Sequence, residues 1–312
     1  MSLRVIQPGM LSLLQDRGRF GRHRLGLTTG GPLDPVAFDY GNRLLQNDAN
    51  TTAVEISFGG LQLEATVDTF ICVTGAAMPL TINGAAQAGW EVLPVRAGDQ
   101  IALGFAESGC RAYLGVAGGF TVAPSFGSTA TVVREHLGGL RGEKLQAGDA
   151  LPCAPVSQRQ RLYLPEAQRP RYGKSVTLRV IPGYQERHFK RLQQRRLFSH
   201  AYAVSQKSDR MGYRLEGPAI DCDIKGILSE GICQGAIQIP ADGQPIVLLN
   251  DRQTIGGYPK IGSALSLDCA QLAQTAPGGT VHFTPISQHG AHNALLLASY
   301  YHKNLRLAER RI

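Results

Sequence analysis

Hydrophobic residues in the first half of the chain occur in short runs that end at glycine or proline, a pattern typical of β-strands. The predicted strands cover residues 3–9, 53–65, 69–76, 100–105 and 111–120. One helix is predicted over 31–47, because Val36, Tyr40 and Leu44 recur at every fourth position. Asp34 and Pro35 suit the N-cap and the first position of that helix.

The second half repeats this arrangement after a break. Residues 155–175 are rich in Arg, Gln and Pro and poor in apolar residues, which indicates a linker. Strands are predicted over 176–183, 201–206, 235–240, 245–250 and 280–286, and helices over 185–197, 267–274 and 291–308, with Asp268 suited to cap the second helix. We therefore predict a mainly β fold with two barrel- or sandwich-like domains, 1–154 and 176–312, and a few short helices.

The formal net charge of +8 raises the question of a nucleic-acid or anionic partner. The basic residues concentrate in 158–174 and 186–196. No RNA-binding signature or zinc-finger spacing accompanies them, so we interpret the clusters as a solvated linker and a basic helix face. No nucleic-acid partner is expected.

The six cysteines are scattered without a C-x-x-C pair, so a disulfide scaffold is not expected. The first residues lack the apolar run of a signal peptide, and no stretch of the sequence is long and apolar enough to span a membrane. These observations predict a reduced, cytoplasmic setting and no membrane partner.

Several motifs of catalytic sites are absent. Residues 171–176 resemble the end of a phosphate-binding loop, but Gln168 stands where that loop needs a glycine. Neither a dinucleotide-binding glycine motif nor a serine-hydrolase elbow occurs. His289 and His292 could share a helix face, but the sequence suggests no third ligand, so no metal site is predicted.

Three segments are rich in side chains that can hold an anionic or amide substrate: 13–27, 206–218 and 238–262. Arginine can grip a carboxylate or phosphate at two points, aspartate can act as a base, and a lysine near positive groups can have a lowered pKa. The candidate catalytic residues are Asp209, Arg210, Asp251 and Lys260. The candidate substrate-binding residues are Gln15, Asp16, Arg19, Arg214, Gln238, Asp242, Gln244 and Thr254.

Each candidate also has a structural interpretation. Residues 241–244 could form an ordinary hairpin turn with a glycine at positive φ. Asp251 and Arg252 could end a strand, Arg210 and Arg214 could both be solvated, and Arg19 could be a surface charge. Both interpretations stay open at the level of the sequence.

The chain resembles a known protein family along almost its whole length. The likeness lies in LLQDRGRFG, GGPLDPVAFDYGNRLLQNDANTTAVEISFGG, ICVTGA and YLGVAGGF in the first half, and in SDRMGYRLEG, GAIQIPADGQPIVLLNDRQTIGGYPKIG and LAQTAPGG in the second. These motifs are similar to those of allophanate hydrolase subunit 2 and the biotin-dependent carboxyltransferase-like proteins, a family that includes the C subunit of 5-oxoprolinase, also described as the antagonist of KipI. Residues 155–175 and 290–312 match no motif of this family.

The resemblance implies two cyclophilin-like β-barrel domains in tandem. It also implies a complex in which this chain works with a KipI-like B subunit, and with a lactam-cleaving A subunit, to open 5-oxoproline to L-glutamate, using ATP. In a shared cleft, Arg210 and Lys260 would bind a carboxylate or phosphate, and Asp209 and Asp251 would orient them or move a proton. Biotin is not expected on this chain, because its sequence lacks the biotin-carrying Met-Lys motif.

Two other functions are compatible with the resemblance. One is a regulatory protein that binds and antagonises a KipI-type kinase inhibitor. The other is a carboxyltransferase half that acts on urea or a related amide.

Overall fold

The computed structural model describes residues 1–224 and 226–310. Strands account for 35% of the chain and helices for 18%, so the prediction of a mainly β fold with short helices is confirmed. In chain order the strands are β1 (Ser2–Pro8), β2 (Leu11–Gln15), β3 (Ala53–Ser57), β4 (Leu61–Ala65), β5 (Thr69–Ala77), β6 (Leu80–Ile82), β7 (Ala85–Gln87), β8 (Val92–Val95), β9 (Gln100–Leu103), β10 (Ser108–Val116), β11 (Ala150–Pro152), β12 (Leu162–Tyr163), β13 (Ser175–Pro182), β14 (Tyr202–Val204), β15 (Gly212–Glu216), β16 (Glu230–Gly231), β17 (Ala236–Gln238), β18 (Ile246–Leu248), β19 (Ile255–Gly256), β20 (Lys260–Ala264), β21 (Thr280–Pro285) and β22 (Ala308–Glu309). The α-helices are α1 (Pro35–Leu44), α2 (Arg191–Ser199), α3 (Ser266–Ala273) and α4 (Gln288–Asn304), and short 3-10 helices occur at His23–Leu25, Val133–Glu135, Glu166–Gln168 and Glu186–His188.

The long apolar run predicted as one strand over 53–65 forms two strands, β3 and β4. Three residues between them, Phe58, Gly59 and Gly60, have positive φ and turn the chain. A Cβ atom on Gly59 would lie 2.1 Å from the carbonyl oxygen of Gly104, so a side chain cannot be placed there without moving the backbone.

Two residues were predicted to cap the starts of helices, and one of these predictions is correct and the other is wrong. Asp34 caps α1 as predicted, since its side chain accepts a hydrogen bond from the N–H of Ala37 at 3.1 Å. Asp268 does not cap α3, which begins after Leu265. Its carboxylate instead accepts hydrogen bonds from the N–H, Nε and Nη2 of Arg179, because it lies in the first turn rather than before it.

The chain divides into two compact units. The first consists of Met1–Arg22, Thr29–Tyr172 and the described part of Arg306–Ile312, and the second of His23–Thr28 and Gly173–Leu305. The change of unit after Tyr172 falls inside the segment predicted as a linker, 155–175. The domain limits given from the sequence stay a prediction.

The first unit contains two larger sheets, with the strand orders β11-β1-β4-β9-β6-β7 and β2-β3-β10-β5-β8. Its largest hydrophobic cluster draws on both sheets, for example on Leu3, Leu63 and Ile101 of one and on Val54 and Leu114 of the other. Helix α1 packs against β5 and β10. Strands β12 and β22 pair separately.

Seven strands of the second unit close into a barrel in the order β13-β20-β17-β18-β15-β14-β21. Strand β13 runs parallel to β21, whereas the other neighbours pair antiparallel. Leu178, Leu215, Ile237 and Val247 are completely buried in this unit. Strands β16 and β19 pair separately and form a two-stranded antiparallel ribbon.

Within the described part of the chain, none of the helices has both the length and the apolar character needed to span a bilayer.

Candidate functional site

Four residues form a row across neighbouring strands of the barrel. The register pairs Arg214 of β15 with Ile246 of β18, Ile246 with Gln238 of β17, and Gln238 with Lys260 of β20. Paired residues of an antiparallel ladder project to the same face, so Arg214, Ile246 and Gln238 share one face of the wall. Lys260 follows them across a register shift between β17 and β20. Because the adjacent Val247 is completely buried, this is the outer face. The barrel thus aligns three predicted site residues in what we call the outer-face row.

At one end of the row, Lys260 is held by residues that the sequence did not single out. Its ammonium donates a hydrogen bond to Glu230, and the Tyr184 hydroxyl donates to the same carboxylate. The Gln185 side chain donates to Glu230 at 2.8 Å and accepts from the backbone N–H of Lys260 at 2.8 Å. All four residues line a cavity of about 340 Å³.

The charges at this end of the row compensate each other. Hydrogen bonds from Lys260 and then from Tyr184 hold the pKa of Glu230 below its ordinary value. We expected Asp209 and Asp251 to orient Lys260, but among the described residues its carboxylate partner is Glu230. Lys260 and Glu230 therefore form an ion pair on the wall of this cavity.

At the other end, Arg214 and Gln238 line a second cavity of about 330 Å³, together with Asp209 and Arg252. Gln238 is only 6% exposed. Its side-chain amide has no hydrogen-bond partner in the part of the chain that the structure describes. A Cβ atom on Gly256 would lie 2.6 Å from Nε2 of Gln238, so the glycine leaves the space that the amide occupies.

Arg252 is the buried cation of this second cavity. It is 8% exposed, and its Nε and Nη1 donate to the carbonyl oxygens of Ile232 and Leu249, both at 3.2 Å. No carboxylate of residues 1–224 or 226–310 lies within ion-pair distance of its guanidinium. Burial lowers the pKa of Arg252, the direction expected for a desolvated cation without a counter-ion.

The predicted catalytic pair Arg210 and Asp251 forms a buried salt bridge. Nε and Nη2 of Arg210 each donate to one carboxylate oxygen of Asp251 at 2.9 Å, and the two side chains are 6% and 8% exposed. Asp251 thus occupies the fork that we expected to bind a substrate anion. The salt bridge therefore links the turn before β15 to the residues that follow β18.

The remaining predicted residues of the second unit stabilise turns. Oδ1 of Asp209 accepts from the N–H groups of Met211 and Gly212 at 2.8 and 3.2 Å, just before β15. Asp242 accepts from the N–H of Gln244 at 3.1 Å, within the turn between β17 and β18.

Gln244 and Thr254 both form hydrogen bonds with main-chain groups of neighbouring segments. Gln244 bonds both the N–H and the carbonyl of Gly217, at 2.9 and 3.1 Å. Thr254 contributes its carbonyl to the N–H of Ile232 at 3.2 Å. The hairpin-turn interpretation of residues 241–244 therefore describes Asp242 and Gln244, and a substrate-binding role for them and for Thr254 stays a prediction.

The predicted residues of the first segment belong to the first unit and are all buried. Gln15 donates to the carbonyl of Thr131 at 2.9 Å, and Asp16 accepts from the N–H of Thr129 at 2.8 Å. Arg19 donates to the carbonyl of Ala130 at 3.0 Å. These bonds hold the loop after 124 against β2 and the residues that follow it. The groove predicted from all three segments stays a prediction.

The sequence profile described as "Carboxyltransferase domain, subdomain A and B" matches residues 25–285. The chain therefore belongs to this carboxyltransferase family. The resemblance found in the sequence motifs is thereby confirmed.

Relatives of this carboxyltransferase-family chain include both separate subunits and parts of larger proteins. It is 37% identical to the C subunit of 5-oxoprolinase from Escherichia coli over 91% of each chain, and 35% identical to that of Haemophilus influenzae over 88% of each chain. The crystal structure of the K. lactis urea amidolyase superposes with a TM-score of 0.89 and 27% identity, covering 98% of this chain but only 20% of that chain. The family chain thus corresponds to about one fifth of the urea amidolyase.

Residues 171–176, which resemble the end of a phosphate-binding loop, do not have the structure of one. Gly173, Lys174 and Ser175 lead directly into strand β13, whereas a phosphate-binding loop leads into a helix N-terminus. The residues present therefore do not fit the triphosphate of ATP at this position. The described residues also contain no cluster of three or more His, Cys, Asp or Glu that could hold a metal ion.

Sequence reasoning missed Glu230, Tyr184 and Gln185. It placed Arg252 in the third substrate-holding segment, 238–262, but did not include it among the candidate site residues. Glu230 lies in the segment ILSEGICQG, which has neither a periodic pattern nor a motif. Tyr184 and Gln185 directly follow Gly183, the first residue after β13. Polar residues next to strand ends were the one feature of the sequence that could have pointed to these three residues. Their contact with Lys260 becomes visible only in the closed barrel.

Proposed function

We propose that this carboxyltransferase-family chain is the C subunit of an ATP-dependent 5-oxoprolinase complex, which opens 5-oxoproline to L-glutamate. The observation that carries the proposal is the 37% identity to the E. coli protein over 91% of both chains. Such a match along nearly the full length of both proteins favours the same role, whereas the urea amidolyase relatives contain this region as a small part.

Lys260 is the residue of the outer-face row best suited to the chemistry. Opening a lactam adds water to the carbonyl carbon, breaks the carbon–nitrogen bond and places a proton on the departing nitrogen. The Lys260 ammonium donates a hydrogen bond to Glu230 and is the group of the row that can supply a proton to the departing nitrogen. Arg210 and Asp251 act as a buried positioning pair in this proposal, and the nucleotide site is assigned to the other proteins of the complex.

Helix α4 supports a complex with other proteins. Leu295, Leu296, Leu297, Tyr300 and Tyr301 on this helix are between 40% and 63% exposed, and in its described residues only Ala291 is buried. Apolar side chains clustered in this way mark protein interaction surfaces. The helix carries no acidic residue and has His302 and Lys303 in its last turn, so a second copy of it offers no opposite charge. We assign this helix surface to the KipI-like B subunit; the A subunit is a further member of the complex.

Reconstitution tests the proposed function. The full chain is combined with its A and B partners, 5-oxoproline and ATP, and glutamate is measured. We expect glutamate only when all three proteins and ATP are present. Replacing Lys260→Met should lower kcat by about 100-fold or more, because general acid–base groups contribute that much. The control Arg191→Gln removes an exposed cation of α2 and should leave the rate unchanged.

The outcome that contradicts the proposal is an assembly in which this chain binds its B partner but no glutamate forms. Circular dichroism of Lys260→Met shows whether the variant is folded, so a lost rate can be separated from a lost fold.

A carboxyl-transfer function is the second candidate, because the matching family profile is described as a carboxyltransferase domain. In this alternative the chain is one half of a transferase that acts on urea or a related amide, with biotin carried by another protein. Inhibition of the reconstituted activity by avidin would favour this alternative, and activity that avidin does not change would count against it.

A further inference from the structure

The second cavity of the outer-face row is lined by two buried side chains whose polar groups can still bind a ligand: Arg252, which donates to two backbone carbonyls but faces no carboxylate of the described residues, and Gln238. Arg252 and Gln238 are 8% and 6% exposed. Buried cations are normally paired, and buried amides are normally hydrogen-bonded, because the loss of water otherwise costs free energy. In the part of the chain that the structure describes, Arg252 has no carboxylate partner and the Gln238 side chain has no hydrogen-bond partner.

The remaining lining residues define what could fill the cavity. Arg214 adds a second guanidinium, which is exposed and has no side-chain hydrogen bond among residues 1–224 and 226–310. Ile232, Ile246 and Leu248 form an apolar part of the wall. Asp209 is the acidic residue of the lining, and its Oδ1 is engaged by two backbone N–H groups.

The size of the cavity limits the ligand. A volume of about 330 Å³ lies at the lower end of the range of roughly 300–1,000 Å³ for small-molecule sites. The cavity therefore suits a single small ring rather than a nucleotide. Gly212 forms part of its lining, where a Cβ atom would lie 3.1 Å from Cγ2 of Ile246, so the wall has no room for a side chain at this position.

We propose that this cavity binds a small carboxylate that also carries an amide, with Arg252 and Arg214 holding the carboxylate and Gln238 bonding the amide. Two guanidinium groups provide charge-assisted hydrogen bonds to the carboxylate oxygens. The Gln238 side chain can donate to a carbonyl and accept from an N–H, which matches both atoms of a lactam. The choice of 5-oxoproline as the ligand rests on the proposed function, whereas the site itself rests on the cavity.

Binding of three probes to the full chain tests the site. The probes are 5-oxoproline, cyclopentanecarboxylate without the amide, and 2-pyrrolidinone without the carboxylate, each titrated by calorimetry. We expect 5-oxoproline to bind most tightly. Arg252→Gln and Arg214→Gln should each weaken both carboxylates by about tenfold or more, since a hydrogen bond to a charged group has this effect. Neither change should weaken 2-pyrrolidinone.

Gln238→Leu provides the complementary variant. It should weaken 5-oxoproline and 2-pyrrolidinone but leave cyclopentanecarboxylate unchanged, because only the first two carry an amide. Arg191→Gln, which removes an exposed arginine of α2 in the same unit, is the matched control and should bind all three probes like the original chain. Arg214→Gln keeps the test valid if a change at the buried Arg252 prevents folding, because the Arg214 side chain is exposed.

Unchanged affinity for both carboxylates in the folded Arg252→Gln and Arg214→Gln variants would overturn the site, as would the absence of 5-oxoproline and cyclopentanecarboxylate binding. The two proposals can fail separately. If the reconstituted complex hydrolyses 5-oxoproline with unchanged KM in these variants, the site is wrong and the function stands. If the probes bind as expected but the complex forms no glutamate, the function is wrong and the site stands.

Discussion

Arg210 and Arg252 are both buried in the second unit, but only Arg210 faces a carboxylate among the residues described. Both were visible in the sequence as charged residues within family motifs. Charge density in the sequence favoured Arg210 as the binding residue, yet its fork is occupied by Asp251. Whether a buried arginine has a structural or a binding role depends on whether a carboxylate of the protein pairs with it. The partner of Arg210 lies 41 positions away in the sequence, so residue spacing could not identify it.

Asp251→Asn should destabilise the protein by about 3 kcal/mol, because it removes the carboxylate from a buried ion pair. Urea unfolding followed by circular dichroism measures the loss. The double variant Arg210→Met with Asp251→Leu should recover much of it, since both charges then leave together.

Arg195→Gln, which changes an exposed arginine of α2, serves as the control and should stay within about 0.5 kcal/mol of the original chain. A stability of Asp251→Asn equal to that of this control would show that the pair is not structural.

The Lys260–Glu230 pair predicts a dependence of stability on pH. The pKa of Glu230 is lowered in the folded state, mainly by the hydrogen bond from Lys260. Its contribution to stability is therefore present above the unfolded pKa and is lost as the pH falls through the folded pKa. The original chain should be more stable than Glu230→Gln near neutral pH, and this difference should shrink in the acid range below about pH 4.5.

Urea unfolding of both proteins between neutral and acid pH measures this difference. A difference that stays constant, or grows as the pH falls, would contradict the ion pair.

At the scale of elements, the sequence predicted 11 of the 22 strands, including every strand of six or more residues, because apolar runs that end at glycine or proline are local signals. Strand β15 was missed because Arg214 and Glu216 made its segment look like a charged site. Only Gly212, Tyr213 and Leu215 are buried there, which gives a short alternation. The row through β15, β18, β17 and β20 depends on register, and register is set by the closed barrel rather than by any one strand.

The exposed apolar residues of helix α4 allow a test of where the KipI-like partner binds. Leu296→Ser and Tyr300→Ser should leave the free energy of unfolding within about 0.5 kcal/mol, because both side chains are already largely exposed. If the helix is the docking surface, the same variants should weaken binding to the KipI-like partner by about tenfold or more. Surface plasmon resonance measures the affinity.

Leu228→Ser removes a leucine that is 94% exposed outside the helix, so it is the matched control and should bind normally. If both α4 variants bind the KipI-like partner as well as this control does, the interface lies elsewhere.

At the scale of the whole molecule, family membership and a mainly β architecture could be predicted from the sequence because long motifs carry both. The return of the chain to the first unit after residue 305 could not be predicted. Residues 306–310 return to the first unit, where Leu162 pairs with Glu309 and Tyr163 with Ala308. A two-residue pairing between positions so far apart in the sequence leaves no local pattern.

This return of the chain affects the order in which the protein can be completed during synthesis. Arg310 donates two hydrogen bonds to Glu91, at 3.0 and 2.8 Å, and its guanidinium lies 5.0 Å from the ring centre of Tyr163. These contacts belong to the first unit but involve residues that leave the ribosome after all of the second unit. The first unit must therefore wait until residues 308–310 have been synthesised before its own contacts are complete.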